Sequence, residues 1–328
     1  MWTRSVPASV ALLAALSGCA TIPWQARPRP PAPLAPALAD YYAPPGAALT
    51  ARAEPLQAEP SSRWIAQRVT LEAPGMPHPI RLDWYAPPGE GRRAAVLIFP
   101  ILWGNDLGVR EFARGFARQG IHGIIVYRPK EKFSMEKPLG QLEEHFHATV
   151  VQARQVVDWL ATQPSVDMTR LGSVGISMGG ALNVLVAAAE PRLTRYVFVL
   201  PAARLAHVTM TTKDRSIGKK RAEYLRRYGL TAEQAERTLT ETLQSEPLAV
   251  AGTIDPRRSL AVIALADRVI GREASLALWR ALGRPPTLWL PTGHYTALFA
   301  LPYVRIKVLW FFADWSAPPP IRVDSSLD

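Results

Sequence analysis

Hydrophobic and polar positions change their period along the chain, and each change marks an element. Residues 63–72 (RWIAQRVTLE) and 79–85 (PIRLDWY) alternate apolar with polar side chains. That is the period of half-buried strands, and the Pro/Gly loop between them predicts an antiparallel pair. Residues 94–99 (AAVLIF), 122–127 (HGIIVY), 171–176 (LGSVGI), 195–200 (RYVFVL), 259–265 (SLAVIAL) and 287–290 (TLWL) are short, mostly apolar runs. Runs of this kind suit strands covered on both faces. Helical patterns separate them at 107–118, 141–162, 181–189, 272–281 and 296–315. Strands alternating with helices predict the α/β class, with a mostly parallel, doubly wound sheet of about eight strands and the early hairpin on one edge.

Two stretches break the alternation. Between 203 and 258 there is helical pattern without strands, at 219–228 and 232–243, and Thr231 with Gln234 forms a capping-box signature ahead of the second. Residues 19–60 carry prolines at 23, 28, 30, 31, 33, 36, 44, 45, 55 and 60. Proline at that density predicts an extended, solvated tether. The globular domain then runs over 61–328, long enough for one domain with a full core.

The stretch LGSVGISMGGALNVLVAAAE, residues 171–190, joins a strand to a helix through a single serine. Gly175 and Gly179 flank Ser177, so strand and helix can pass close together while the hydroxyl is pushed into the open. The Met178 amide opens the following helix, where negative charge is favoured. This strand, turn and helix resemble the nucleophile elbow of the α/β-hydrolase superfamily, in its serine-esterase and dienelactone-hydrolase-like groups.

The resemblance implies a serine, an acid and a histidine in that chain order, the acid at the C-terminal end of a strand. After 195–200 there is no carboxylate until Asp214, too far for a strand tip. Asp255 precedes its strand. After 259–265 comes Ala266-Asp267-Arg268, and Asp267 is the candidate acid. Of the six histidines, His122 lies at the wrong end of its strand, while His294 follows the last strand in LPTGHY. Ser177, Asp267 and His294 are thus the expected triad. The oxyanion hole needs two amides: Met178 supplies one, and the loop after AAVLIF supplies the other from Ile101 or Leu102, with Trp103 also open. Trp103, Asn105 and Tyr295 are candidate substrate contacts. The superfamily commonly inserts a cap where 203–258 falls, so this stretch is expected to cover the site and select its substrate. Neither metal nor cofactor is required by such chemistry.

Composition adds a location. The chain opens MWTRSVPASVALLAALSGCA, with Arg4 ahead of an apolar run too short to span a bilayer as a mature helix. Leu16-Ser17-Gly18-Cys19 resembles a bacterial lipobox, which implies a signal peptide over 1–18, lipid on Cys19, and export to the envelope. Ala20 suits an outer-membrane address facing the periplasm. Cys19 is the only cysteine, which excludes a disulfide scaffold. The net charge is +11, and 204–232 holds eight Lys/Arg against Asp214 and Glu223. Such a face suits anionic headgroups or a solvated helix; nucleic acid fits an exported protein poorly. The final helical stretch, with Leu298, Phe299, Tyr303 and Phe312, suits a core or a membrane surface. The expectation is a carboxylesterase acting through an acyl-enzyme on a small-molecule or lipid ester. Acyl transfer, peptide hydrolysis and a non-catalytic binding lipoprotein are the alternatives, and oligomeric state is left open.

Overall fold

The computed structural model describes residues 30–57, 61–73, 76–101, 106–129 and 141–316. Nine strands form one sheet in the order β1-β2-β3-β5-β4-β6-β7-β8-β9. They are β1 (Thr50–Pro55), β2 (Ile65–Glu72), β3 (Ile80–Ala86), β4 (Arg93–Phe99), β5 (His122–Val126), β6 (Val166–Ile176), β7 (Leu193–Val199), β8 (Ser259–Ala264) and β9 (Thr287–Leu290). The first three pair antiparallel, β3 meets β5 antiparallel, and every pair from β5 through β9 is parallel. The parallel strands are buried on both faces, which is why they read as unbroken apolar runs.

Helices α1 (Pro36–Tyr41), α2 (Asp106–Arg118), α3 (Gln141–Leu160) and α4 (Met178–Ala189) come first. The interrupting stretch holds α5 (Leu205–Thr211), α6 (Arg215–Tyr228), α7 (Ala232–Thr242) and α8 (Pro247–Val250). Then follow α9 (Arg272–Ala281) and, after a 3-10 turn at Thr296–Ala300, α10 (Leu301–Phe311). Thr231 and Gln234 form the capping box at the start of α7, both bonds present. The last helical pattern is therefore three pieces: the turn, α10, and a second 3-10 turn at Ala313–Trp315.

The expected tether does not hold over its described part. Residues 50–55 form β1, an edge strand beyond the eight expected, in register with β2 from Thr50 opposite Glu72 to Pro55 opposite Gln67. Proline is tolerated there because an edge strand has one unpaired side. Pro36 sits at the start of α1, where its missing N–H costs nothing. Tyr42 is wholly buried. Its hydroxyl meets Ser245 Oγ at 2.8 Å, and the Tyr41 hydroxyl donates to the buried Glu143 at 2.8 Å. Two adjacent tyrosines outweigh the proline content: Tyr42 buries its ring, Tyr41 half-buries its own against the core, and both satisfy their hydroxyls. Cys19 and the expected signal peptide lie outside the described residues.

Four chain segments reach the C-terminal edge of the parallel strands: Pro100 after β4, Ser177 after β6, Asp267 after β8 and His294 after β9. In open parallel sheets that edge is where ligands bind.

Candidate active site

Ser177 leaves β6 with φ 56° and ψ −116°, a left-handed conformation that a non-glycine residue adopts only under constraint. Its amide donates to Val199 O at 2.8 Å, and its carbonyl accepts from Gly180 N at 2.8 Å. The flanking glycines are steric necessities. A Cβ on Gly175 would stand 2.1 Å from Gly179 O, and one on Gly179 would stand 2.1 Å from Phe99 O. Gly179 therefore lets the loop after β4 run against the first turn of α4.

His294 reaches the serine from the β9 loop. That loop is tied by Gly293 N to Thr296 Oγ1 at 2.8 Å, and Ala266 N donates to Thr292 O at 3.0 Å, joining it to the acid loop. Ser177 Oγ and His294 Nε2 are 2.9 Å apart, and His294 Nδ1 lies 2.7 Å from Asp267 Oδ2. The other carboxylate oxygen of Asp267 accepts from Val269 N at 2.8 Å and Ile270 N at 3.0 Å. Burial works to raise the pKa of Asp267, but His294 and the two amides outweigh it and hold the carboxyl below its ordinary range. Asp267 is then a carboxylate and only accepts. The Nδ1 of His294 must carry the proton, which leaves Nε2 free to accept from the serine hydroxyl.

Met178 begins α4 and, with Ile101, lines the cavity beside Ser177. Arg128 donates to Ile101 O at 2.8 Å and so fixes this loop from β5. Burial pushes Arg128 down to about 10, which leaves it cationic at neutral pH. Leu102, Trp103 and Asn105 lie outside the described residues.

The cavity above the serine has a volume of about 180 Å³. Its walls come from the sheet edge (Ile176, Leu200, Leu290), from α3 (Phe146), and from the interrupting stretch (Leu205, Val208, Ile217). Helices α5 and α6 thus stand over the serine. Tyr295 lines the same cavity, and its hydroxyl donates to Asp214 Oδ2. Asp214 is also the N-cap of α6, accepting from Ile217 N at 2.8 Å. Sequence reasoning set Asp214 aside as an acid for the triad and gave it no other place. Its position as an Asp just before a helical run was the available signal for the cap. Burial pulls Asp214 upward, but Tyr295, backbone amides and His294 hold it below the ordinary carboxylate value. Burial and then Asp214 push Tyr295 up to about 12. His122, excluded by its strand end, instead joins Trp84 Nε1 at 2.9 Å and Ser165 O at 3.0 Å in the core. Among the described residues no group of three or more His, Cys, Asp or Glu side chains is placed to hold a metal ion.

Residues 83–223 match the model of the dienelactone hydrolase family. No curated protein matches the chain by sequence. Among solved structures, the chain is similar to the acetyl xylan esterase from Paenibacillus sp. R4, with TM-score 0.63, 17% identity, and 84% of this chain and 90% of that one covered. It is similar to acetyl xylan esterase 1 from Thermoanaerobacterium sp. JW/SL YS485 at TM-score 0.63 and 15% identity, covering 86% and 96%. The 2,6-dihydroxy-pseudo-oxynicotine hydrolase is similar at TM-score 0.55 and 19% identity, covering 76% and 67%. At these identities the likeness establishes the fold, which is that of the α/β-hydrolases. Residues 83–223, which match the dienelactone hydrolase model, lie within that fold.

Proposed function

From this fold and the hydrogen-bonded series Asp267, His294 and Ser177, we propose a carboxylesterase for esters with an apolar acyl group, held at the cell envelope by lipid on Cys19. The series itself carries the reading, because it ends on an open serine at the floor of an apolar cavity. His294 Nε2 takes the Ser177 proton as Oγ attacks the ester carbonyl. The Met178 amide, with one from the loop at Ile101, holds the oxyanion. His294 then gives the proton to the leaving alkoxide as the C–O bond breaks. Water attacks the acyl-enzyme by the same route, and the acid leaves as Ser177 regains its proton. Asp267 holds the imidazole tautomer throughout and supports its positive charge.

The cavity favours an acyl group larger than acetyl. An apolar hole of roughly 150 Å³ holds a benzene ring, and this one is of that order. The neighbouring structures named as esterases support the ester class. Export and anchoring rest on the lipobox-like residues ending at Cys19.

The test is labelling with a fluorophosphonate probe, beside turnover of p-nitrophenyl esters from acetate to octanoate. The wild-type chain is expected to label and to prefer four- to eight-carbon acyl groups. Ser177→Ala should not label and should lose about four to six orders of magnitude in kcat. Turnover surviving in that variant would remove the proposal, and a preference for acetate would remove the acyl assignment. Metabolic palmitate labelling that persists in Cys19→Ser would overturn the anchor.

A further inference from the structure

Beside the cavity lies a surface of its own chemical kind. Phe299 is 86% exposed, Trp310 64%, Leu298 58% and Ile306 46%. Positions 303, 306 and 310 are spaced by three and four, one stripe of α10, and Phe299 stands in the 3-10 turn just before it. The stripe 304, 308 and 312 is the buried one, so core packing has already been satisfied by the other side of α10. Single exposed apolar residues are ordinary, but a contiguous run with Phe and Trp outermost marks a contact surface. Leu298 belongs to both regions, since it also lines the cavity.

Cations accompany the stripe. Lys307 sits within it, its ammonium 4.8 Å from the Trp310 ring centre and 5.6 Å from that of Tyr303. Where Tyr295 meets Asp214, Lys213 and Arg215 flank the carboxylate in sequence. From there α6 carries exposed Lys219, Arg226 and Arg227, and Glu223 is its one acid. The apolar stripe and the cationic helix thus start from the same junction, at the side of the cavity formed by Tyr295.

We propose that this face docks on the surface of an anionic lipid bilayer. Phe299, Ile306 and Trp310 enter the boundary between headgroups and acyl chains, and Lys307 with the α6 cations meets the headgroups. Cations near such a surface are attracted to it within a Debye length, so charge complementarity selects this occupant. A second copy of the chain would bring the same cations against themselves. The docking goes beyond the hydrolytic reading and stands whether or not Ser177 reacts. Taken with that reading, it turns the Leu298 side of the cavity toward the bilayer, so an apolar ester reaches Ser177 without crossing water.

The experiment must read this face alone, because the apolar N-terminal residues would hold the chain on vesicles unaided. In the full chain with Cys19→Ser, Phe299→Cys is the single thiol and carries an environment-sensitive fluorophore. Vesicles of phosphatidylcholine alone are compared with vesicles containing one third phosphatidylglycerol. The expected result is a blue shift, with quenching by brominated acyl chains, on the anionic vesicles only. It should weaken at least tenfold in vesicle concentration on Lys219→Glu/Arg226→Glu or in high salt. The same dye at Glu54→Cys, on the exposed edge strand β1, should not respond. An unmoved signal at 299 on chains that sediment with the vesicles would overturn the proposal. So would an equal response to neutral vesicles, or a shift that follows protein concentration without vesicles, which would indicate a second copy.

Discussion

At the floor of the cavity, a Cβ added to Gly179 would stand 2.1 Å from Phe99 O; in the cap, a Cβ on Gly218 meets nothing nearer than 3.8 Å. The same contrast runs through the helices. Every residue of α4 from Gly179 to Ala187 is buried, whereas α6 has no buried residue and α7 has two, Ala235 and Leu239. The floor is fixed by backbone passing against backbone, where one added carbon has no place to go. The cap is held by a few side chains on amphipathic helices that tolerate exchange. Positioning a serine to within hydrogen-bond reach of a base requires the first kind of construction. Admitting one acyl group and excluding another requires only the second. A change on the floor should therefore act on the chemical step, and a change in the cap on binding and local stability.

Among changes that leave the nucleophile in place, the largest effect should come from Asp267→Asn. The amide oxygen can still accept from Val269 and Ile270, but the amide nitrogen then faces His294 Nδ1 and donates to it. The imidazole is driven to the tautomer with its proton on Nε2, which cannot accept from Ser177. A fall of about 10⁴ in kcat is expected, with little change in KM or in the melting temperature. Steady-state kinetics on a p-nitrophenyl ester and a thermal melt check this. A KM effect equal to the kcat effect would break the division between floor and cap.

The cap should respond less, and through a different parameter. Tyr295→Phe removes the hydrogen bond to Asp214, worth roughly 1.5–3 kcal/mol for a charged acceptor, and should raise KM several-fold while kcat changes little. Its pH dependence has a definite sign. Asp214 is held below its ordinary value of 3.8, so the bond's contribution is complete above that value and is lost as pH falls through the lowered one. Tyr295, pushed up to about 12, remains a donor throughout that range. Protease sensitivity of residues 205–243 should thus rise as wild type is acidified below about pH 4, and Asp214→Asn should show no such step. An acid step that persists in Asp214→Asn would place the titrating group elsewhere.

The same contrast governs what the sequence discloses. Ser177 and its glycines are a local pattern, and Asp267 and His294 each stand in the short loop after an apolar run, so strand order alone brings them to one edge. Met178 and Ile101 line the cavity for the same reason, each standing just past the end of a strand. What escapes is contact over long sequence separation by side chains with no pattern. Tyr41 meets Glu143 across 102 positions and Tyr42 meets Ser245 across 203, so residues 30–57 read by composition as a tether although they pack. Asp214 meets Tyr295 across 81 positions. Proline content predicts backbone reach but says nothing about whether a buried carboxylate and hydroxyl are waiting for a tyrosine. The apolar residues of 296–315 were legible as apolar; only the structure separates the buried stripe from the exposed one.

The smallest effect offers the finest test of the contrast. Thr231 Oγ1 accepts from Gln234 N at 3.2 Å, and Gln234 Oε1 accepts from Thr231 N at 2.8 Å. Thr231→Ala removes one of these bonds from the first turn of α7 and costs about 1 kcal/mol of helix stability. If the cap opens as its own unit, that cost is local. Amide exchange across residues 232–242 should then quicken by about fivefold, the factor that 1 kcal/mol gives, while the core strands β6 to β8 exchange as before. The melting temperature should move by less than about 2 °C and kcat should be unchanged. If exchange quickens equally in β6 and α7, cap and floor unfold together, and the loose packing of α6 and α7 reflects only their place at the surface. Hydrogen exchange read by mass spectrometry resolves the two outcomes, because the expected change is confined to a peptide that touches neither Ser177 nor His294 in sequence.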